Sequence, residues 1–186
     1  MERIKKWWLD FEGKHPSLSK WVKEGGLFMV VSTFITVIRG LLVTVLTPAL
    51  SSLGGEAIGF PGIALNIFGV EFSWYIIGAS EEQGGVAYFV ALMISMWTCE
   101  LINFLMQRKF VFRSNGNILR QGALYFLAFL IVTLVVNALS NIWIGVASHY
   151  LPQVVCDLGT TFLTGGVAMV VFFLLNRVIF KETEDK

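Results

Sequence analysis

The stretch LFMVVSTFITVIRGLLVTVLTPAL, residues 27–50, decides the fold class of this chain. It is apolar almost throughout and exceeds the roughly 20 residues that a helix needs to cross a bilayer. Comparable stretches occupy residues 86–106, 122–147 and 154–180. Of the 186 residues, 55% are hydrophobic and only 15% are charged, whereas about a quarter of a soluble domain is charged. The sequence therefore predicts an all-α membrane protein with four transmembrane helices.

The distribution of lysine and arginine predicts the orientation of these helices, because the cytoplasmic loops of membrane proteins are enriched in both. With four spans, the basic residues outside them fall on one side: in the arm before the first span, in the connection between the second and third, and in the tail. We therefore expect both termini in the cytoplasm and a multi-pass protein of the cytoplasmic membrane.

A fifth apolar segment, residues 57–79, is not counted as a span. It is interrupted by Gly59, Pro61, Gly62 and Gly69. If it crossed the membrane, the basic group from Arg108 to Arg120 would lie outside, against the charge rule. We expect residues 51–85 to form an outer apolar loop that lies on the membrane surface or dips into it.

The arm before the first span, residues 1–24, has its own pattern. Ile4, Trp7, Trp8 and Phe11 recur at helical spacing opposite polar residues, which is typical of an amphipathic helix in the membrane interface. Pro16 suits the first turn of a second helix. The predicted organisation is this cytoplasmic arm, a transmembrane domain over residues 25–180 and a cytoplasmic tail at 181–186.

Several classes of function are excluded by what the sequence lacks. The net charge of +1, with the basic residues scattered in short groups, argues against a nucleic-acid partner. A phosphate-binding loop of the GxxxxGK[ST] type is absent. The two histidines and two cysteines have no ligand-like spacing. We expect no catalytic residues, no metal and no cofactor.

Three ionisable residues lie within the apolar spans: Arg39, Glu100 and Asp157. Each costs about 2.5–3.5 kcal/mol at the centre of a bilayer, so each is a candidate functional residue. Asp157 stands at a helix start, where it could equally cap the helix. Side chains lean toward the amino terminus of their helix, so Arg39 and Glu100, on helices of opposite direction, should lean toward each other. We predict that these two residues form a pair.

Polar residues accompany these charges on one stripe of each helix. Asn103 shares the stripe of Glu100, and Asn137 lies on the third span among hydroxyl and amide side chains. Four such stripes could face a common interior and bind a polar substrate. They could equally be packing surfaces, since small and polar residues let membrane helices approach one another.

The second and fourth spans end alike, in Phe104-Leu105-Met106-Gln107-Arg108 and Phe173-Leu174-Leu175-Asn176-Arg177. Two helix pairs that close on the same signature predict a parallel 2+2 internal repeat. The basic residues at these ends could hold a lipid phosphate, or could serve only to set the topology. They are Arg108, Lys109, Arg113 and Arg177.

The segment NFLMQRKFVFRSNGN, residues 103–117, resembles the end of the second span in the GtrA-like family, and the four-helix plan and the repetition at Asn176-Arg177 match as well. Members of that family are small membrane proteins implicated in cell-surface polysaccharide synthesis. The resemblance implies that this chain moves a polyprenyl-phosphate-linked sugar across the cytoplasmic membrane. A polyprenyl-phosphate sugar and membrane lipids would be its partners.

Two other functions remain open on the sequence. The chain could be an accessory subunit that anchors a membrane glycosyltransferase, or a small proton-coupled exporter in which Glu100 carries the proton. Because four helices enclose little room for a sugar and a phosphate, we also expect a homo-oligomer, most simply a dimer.

Overall fold

The computed structural model describes residues 2–180, without the side chains of Glu2, Glu82, Gln153 and Asp157. The predicted tail, residues 181–186, lies outside the described residues. The helices are α1 (Glu2–Lys14), α2 (Pro16–Ala49), α3 (Gly85–Met106), α4 (Ile118–Tyr150), α5 (Gln153–Thr161) and α6 (Ala168–Ile179). A π-helical turn, Gln107–Val111, continues α3, and another, Phe162–Val167, joins α5 to α6.

The predicted four-span helical fold is confirmed within the described residues. Four helical stretches are long and apolar enough to cross a membrane: Pro16–Ala49, Gly85–Val111, Ile118–Tyr150 and Val154–Ile179. Large apolar side chains on their outer faces are exposed, such as Leu41 at 63% and Val45 at 69%. A bilayer would cover these faces. The cytoplasmic orientation of the termini and the internal repeat stay predictions.

The first span begins earlier than the sequence analysis placed it. Pro16 occupies the first turn of α2, as predicted, and the helix then runs without a break to Ala49. At about 1.5 Å per residue its 34 residues extend roughly 50 Å, well beyond a hydrocarbon core of about 30 Å. Part of the predicted arm is therefore the first turns of this helix. The remainder is α1, whose Trp7 and Phe11 rings stack on each other.

The connection between α2 and α3 is folded as strands, which the sequence analysis did not predict. Strands β1 (Ile58–Phe60) and β4 (Ile77–Ala79) pair antiparallel, and so do β2 (Ile63–Ile67) and β3 (Val70–Trp74). Phe68 and Gly69 form the tight turn between β2 and β3, both with positive φ, as hairpin turns of this length require. We call residues 58–79 the β ribbon.

The β ribbon is anchored to α4 rather than lying free. Trp74 Nε1 donates a hydrogen bond to the Ala138 carbonyl oxygen (3.1 Å), and the Tyr75 backbone N–H donates to Asn141 Oδ1 (3.2 Å). Further along α4, a Cβ on Gly145 would lie 2.4 Å from the Phe72 ring, so glycine makes room for this contact. The ribbon therefore covers one end of the helical bundle, which we call the ribbon end. The opposite end, where residues 112–117 connect α3 to α4, is the loop end.

Two apolar clusters hold the helices together toward the loop end. One joins Phe28, Val31 and Ile35 of α2 to Cys99 of α3 and to Val111. The other joins Phe104, Tyr125 and Phe180. These contacts fix the relative positions of α2, α3 and α4, and with them the polar residues on their inner faces.

Candidate functional site

The predicted proximity of Arg39 and Glu100 is confirmed. Arg39 lies ten residues from the ribbon end of α2, about 15 Å along the axis at 1.5 Å per residue, which is about half the thickness of a hydrocarbon core of about 30 Å. Its Nη2 donates a hydrogen bond to Glu100 Oε1 at 2.5 Å. The Glu100 side chain is 8% exposed and that of Arg39 29%. The pair links α2 to α3 inside the bundle.

Besides the charged Arg39, two neutral groups donate hydrogen bonds to Glu100. Tyr125 Oη on α4 donates to Glu100 Oε2 at 2.7 Å. Asn103 Nδ2 lies 3.2 Å from the same oxygen and 3.0 Å from Tyr125 Oη. One carboxylate oxygen thus faces the guanidinium and the other faces neutral groups. The negative charge would keep these donors even if the arginine moved away.

The polar contacts continue toward the loop end. Gln107 Nε2 donates to Asn103 Oδ1 at 2.9 Å, and Asn176 Nδ2 donates to Gln107 Oε1 at 2.6 Å. Asn103, Gln107 and Asn176 are all buried. We call the connected set the polar network. It consists of Arg39, Glu100, Asn103, Gln107, Tyr125 and Asn176, and so joins α2, α3, α4 and α6.

The polar network holds a charge pair in a poorly solvated place, and such a pair is weak evidence for stability. The desolvation of two charges often equals or exceeds their attraction. The buried Nε of Arg39 also has no hydrogen-bond partner among the residues that the structure describes, and unpaired buried donors are costly. The arginine therefore keeps a donor that an anionic group could use.

The basic residues predicted to hold a phosphate are only partly free to do so. Arg108 closes the loop end: its Nε donates to Gln121 Oε1 (3.0 Å) and its Nη2 to the Gly116 carbonyl oxygen (2.7 Å). Lys109 and Arg113 are exposed, and the Lys109 ammonium lies 5.5 Å from the centre of the Phe110 ring. The interaction of these two with phosphate stays a prediction.

Arg177 is held against the first turns of α2. Its Nη1 lies 3.3 Å from Glu24 Oε2, and its guanidinium carbon lies 3.5 Å from the centre of the Trp21 ring. Glu24 is buried. This ion pair joins α6 to α2, so Arg177 and Arg108 make their contacts on different helices.

The other two predicted residues lie apart from the polar network or outside the description. Asn137 lines a cavity at the ribbon end, between α3, α4, the fourth span and the β ribbon. The side chain of Asp157 lies outside the described part of the structure, so its role as a cap or a binding residue stays a prediction.

Sequence reasoning did not assign roles to Glu24 and Gln121, the partners of Arg177 and Arg108. A second repetition would have pointed to them. Lys23-Glu24-Gly25-Gly26-Leu27-Phe28 before the first span is matched by Arg120-Gln121-Gly122-Ala123-Leu124-Tyr125 before the third. The same repetition includes Tyr125, the third partner of Glu100. Glu24 and Gln121 lie just outside the predicted spans and Tyr125 lies inside the third, so only this repetition links the three residues.

The comparison with known proteins agrees with the fold. The family model described as "GtrA/DPMS, transmembrane domain" matches residues 56–180, about two thirds of the chain, from just before the β ribbon to the end of α6. No curated protein and no solved structure matches. The domain indicates a multi-pass membrane protein that handles sugar lipids in glycosylation, in a family whose members are generally non-catalytic. The chain belongs to the GtrA/DPMS transmembrane-domain family.

Proposed function

We propose that this protein translocates a polyprenyl-phosphate-linked sugar across the cytoplasmic membrane, for glycosylation of a cell-envelope polysaccharide. The observation that carries the proposal is the Arg39–Glu100 pair near mid-bilayer, in which the arginine retains an unpaired buried donor. A lipid phosphate needs a cation at depth, and arginine offers several donors in a geometry that suits phosphate.

In this mechanism the substrate phosphate competes with Glu100 for Arg39. When the guanidinium turns to the phosphate, Glu100 keeps its bonds from Tyr125 and Asn103, so a bare buried carboxylate is not left behind. When Glu100 takes the arginine back, the phosphate is released. The prenyl tail stays in lipid throughout, because the outer faces of the helices are apolar.

The test is binding and transport of a labelled polyprenyl-phosphate sugar by the reconstituted protein. Arg39→Gln should abolish binding, because an uncharged side chain cannot balance the phosphate. Glu71→Gln, at an exposed ribbon position, serves as control and should behave as wild type. Full transport by Arg39→Gln would refute the mechanism.

The same reconstituted proteins distinguish translocation from the two other functions, an accessory subunit and a proton-coupled exporter. An accessory subunit would bind no lipid phosphate but would alter the activity of a co-reconstituted glycosyltransferase. A proton-coupled exporter would move substrate in response to a pH gradient, and Glu100→Gln would abolish that response.

A further inference from the structure

The ribbon end contains a cavity of about 480 Å³ that is distinct from the polar network. Its size lies within the range of small-molecule sites, about 300–1,000 Å³. None of the described residues that line it is charged. The cavity is therefore unsuited to a phosphate and suited to a neutral group.

Four polar side chains of the cavity lie on one face of α4, and others, such as Gln83 and Thr160, come from neighbouring elements. Thr133, Asn137, Ser140 and Asn141 follow helical spacing, so all four can point to the same side. Asn141 is engaged with the Tyr75 backbone, which ties the ribbon over the cavity. The other three on α4 offer an amide and two hydroxyls.

One of these groups is a buried hydroxyl that has no partner among the described residues. Ser140 is 5% exposed, it lines the cavity, and its Oγ makes no hydrogen bond within the described part of the structure. A buried polar atom is normally paired, and an unpaired one calls for an explanation such as a ligand. An acyl chain would leave this hydroxyl unpaired, whereas a hydroxyl-bearing ligand would satisfy it.

Aromatic and aliphatic side chains complete the lining, the aliphatic ones being isoleucines, leucines and methionines. Trp97 contacts Phe129 edge to face at 5.8 Å between ring centres, and both line the cavity with Tyr75. The faces of sugar rings present C–H groups that pack on apolar and aromatic side chains, while their hydroxyls need donors and acceptors. The polar groups on α4 and the aromatic rings give this uncharged, mainly apolar lining the contacts that a carbohydrate needs.

We infer that the ribbon-end cavity binds the neutral sugar of the lipid-linked substrate, while the Arg39–Glu100 pair binds its phosphate. This inference rests on the proposed function. It divides substrate recognition between two places: the phosphate in the polar network and the sugar between α4 and the β ribbon. The sugar contacts, rather than the phosphate contacts, would then decide which sugar is accepted.

The experiment compares two probes on the full chain in lipid nanodiscs: polyprenyl phosphate, and polyprenyl phosphate bearing glucose, galactose, mannose or N-acetylglucosamine. For at least one sugar the wild type should bind the glycosylated lipid about 10-fold more tightly, as expected for two or three neutral hydrogen bonds. Asn137→Leu should remove most of this gain in affinity, and Thr133→Val should reduce the gain by about 2–5-fold. Neither variant should change the affinity for polyprenyl phosphate. Thr44→Val, on the exposed face of α2, is the matched control and should keep the full gain.

The possible failures are distinguishable. If no sugar adds affinity while polyprenyl phosphate binds, the cavity inference is overturned and the proposed function stands. If Asn137→Leu tightens both lipids equally, the cavity holds an acyl chain and the inference is again overturned. If polyprenyl phosphate does not bind at all, the proposed function fails, and methyl glycosides tested by saturation-transfer NMR decide the cavity alone. A signal that Asn137→Leu removes would support it, and no wild-type signal would overturn it.

Discussion

Substitution of Glu100 by glutamine tests the competition that the mechanism requires. Arg39 Nη2 donates to Glu100 Oε1 at 2.5 Å, and a substrate phosphate would have to take this donor. Glutamine keeps the shape of the side chain and can still accept a hydrogen bond from Arg39. It removes the negative charge, so it competes less well. We expect Glu100→Gln to bind lipid phosphate more tightly and to release it more slowly.

The magnitude follows from the bond that is weakened. Arg39 stays charged in Glu100→Gln, so its hydrogen bond stays charge-assisted, and what is lost is the Coulomb attraction of the carboxylate, part of which is offset by the desolvation of the pair. A net difference of about 1 kcal/mol or somewhat more corresponds to a roughly 5–10-fold lower Kd. Tyr125 and Asn103 would face a neutral amide in place of Glu100 Oε2, and the Tyr125 hydroxyl can accept as well as donate. These bonds can therefore be kept, although the Arg39 charge loses its counter-ion, which lowers stability when one partner of a buried pair is removed; folding of the variant is checked by its unfolding transition.

The assay is the Kd for polyprenyl phosphate in nanodiscs, together with the rate of translocation in proteoliposomes at saturating substrate. Glu100→Gln should lower both the Kd and the saturated rate, whereas Glu71→Gln should change neither. A double variant, Arg39→Leu with Glu100→Leu, removes both charges and should fold, because apolar replacement of a buried ion pair is often neutral or stabilising. It should not bind the lipid. An unchanged or weaker Kd in Glu100→Gln would refute the competition.

Three further predictions concern orientation, packing and assembly. Cysteine at Ser52, exposed beside the ribbon, should react with an impermeant thiol reagent on intact cells, whereas cysteine at Asn115, exposed in the 112–117 connection, should not; the reverse result would invert the predicted orientation. Gly145→Ala places a Cβ 2.4 Å from the Phe72 ring. It should lower the free energy of unfolding by about 1–3 kcal/mol in thermal or denaturant unfolding. Gly40→Ala, in open space within α2, should instead raise that free energy by about 0.5–1 kcal/mol. Native mass spectrometry of the active protein in lipid should give twice the chain mass, and an active monomer would contradict the predicted dimer.

The four spans and the Arg39–Glu100 pair could be predicted because a membrane protein needs long apolar helices and rarely carries charges inside them. Long apolar runs and charges within them have few alternative explanations, and the lean of helical side chains brought Arg39 and Glu100 together. The strands of the ribbon were not predicted, although the sequence carries a signal for them. β3, Val-Glu-Phe-Ser-Trp, alternates apolar and polar residues, and the large apolar residues of β2, Ile-Ala-Leu-Asn-Ile, stand two apart, which is the period of a strand. An interpretation of the segment only as a span or a loop passes over this period. The sequence pattern did show an apolar segment broken by glycines, and the charge rule kept it out of the count of spans.

The contacts that sequence reasoning missed depend on tertiary structure. The sequence predicted a phosphate contact or a role in topology for Arg108 and Arg177, and spacing along the chain did not indicate their side-chain partners. Their partners, Gln121 and Glu24, come from the starts of other spans. Charge patterns along a chain predict on which side of the membrane a basic residue lies. They do not predict which distant side chain will bind it.

The contacts at the loop end are reciprocal, as they would be in the predicted internal repeat, which stays a prediction. Arg108, at the end of the second span, contacts Gln121 at the start of the third, while Arg177, at the end of the fourth, contacts Glu24 at the start of the first. Aromatic rings contact one another between the same pairs of spans: Phe104 packs on Tyr125, and Phe173 packs on Phe28.

Two residues at matching positions of the predicted repeat also meet directly. Gln107 precedes Arg108 and Asn176 precedes Arg177, and Asn176 Nδ2 donates to Gln107 Oε1 at 2.6 Å. Residues near a two-fold axis contact their own counterparts, so this bond lies where such an axis would pass. The charged pair does not follow the symmetry. Met169 stands as far before Arg177 as Glu100 stands before Arg108, so the second half has no carboxylate at that level. A repeated scaffold with a charge in one half would give each chain one phosphate site, whereas the cavity around Asn137 is lined by helices of both halves and by the β ribbon.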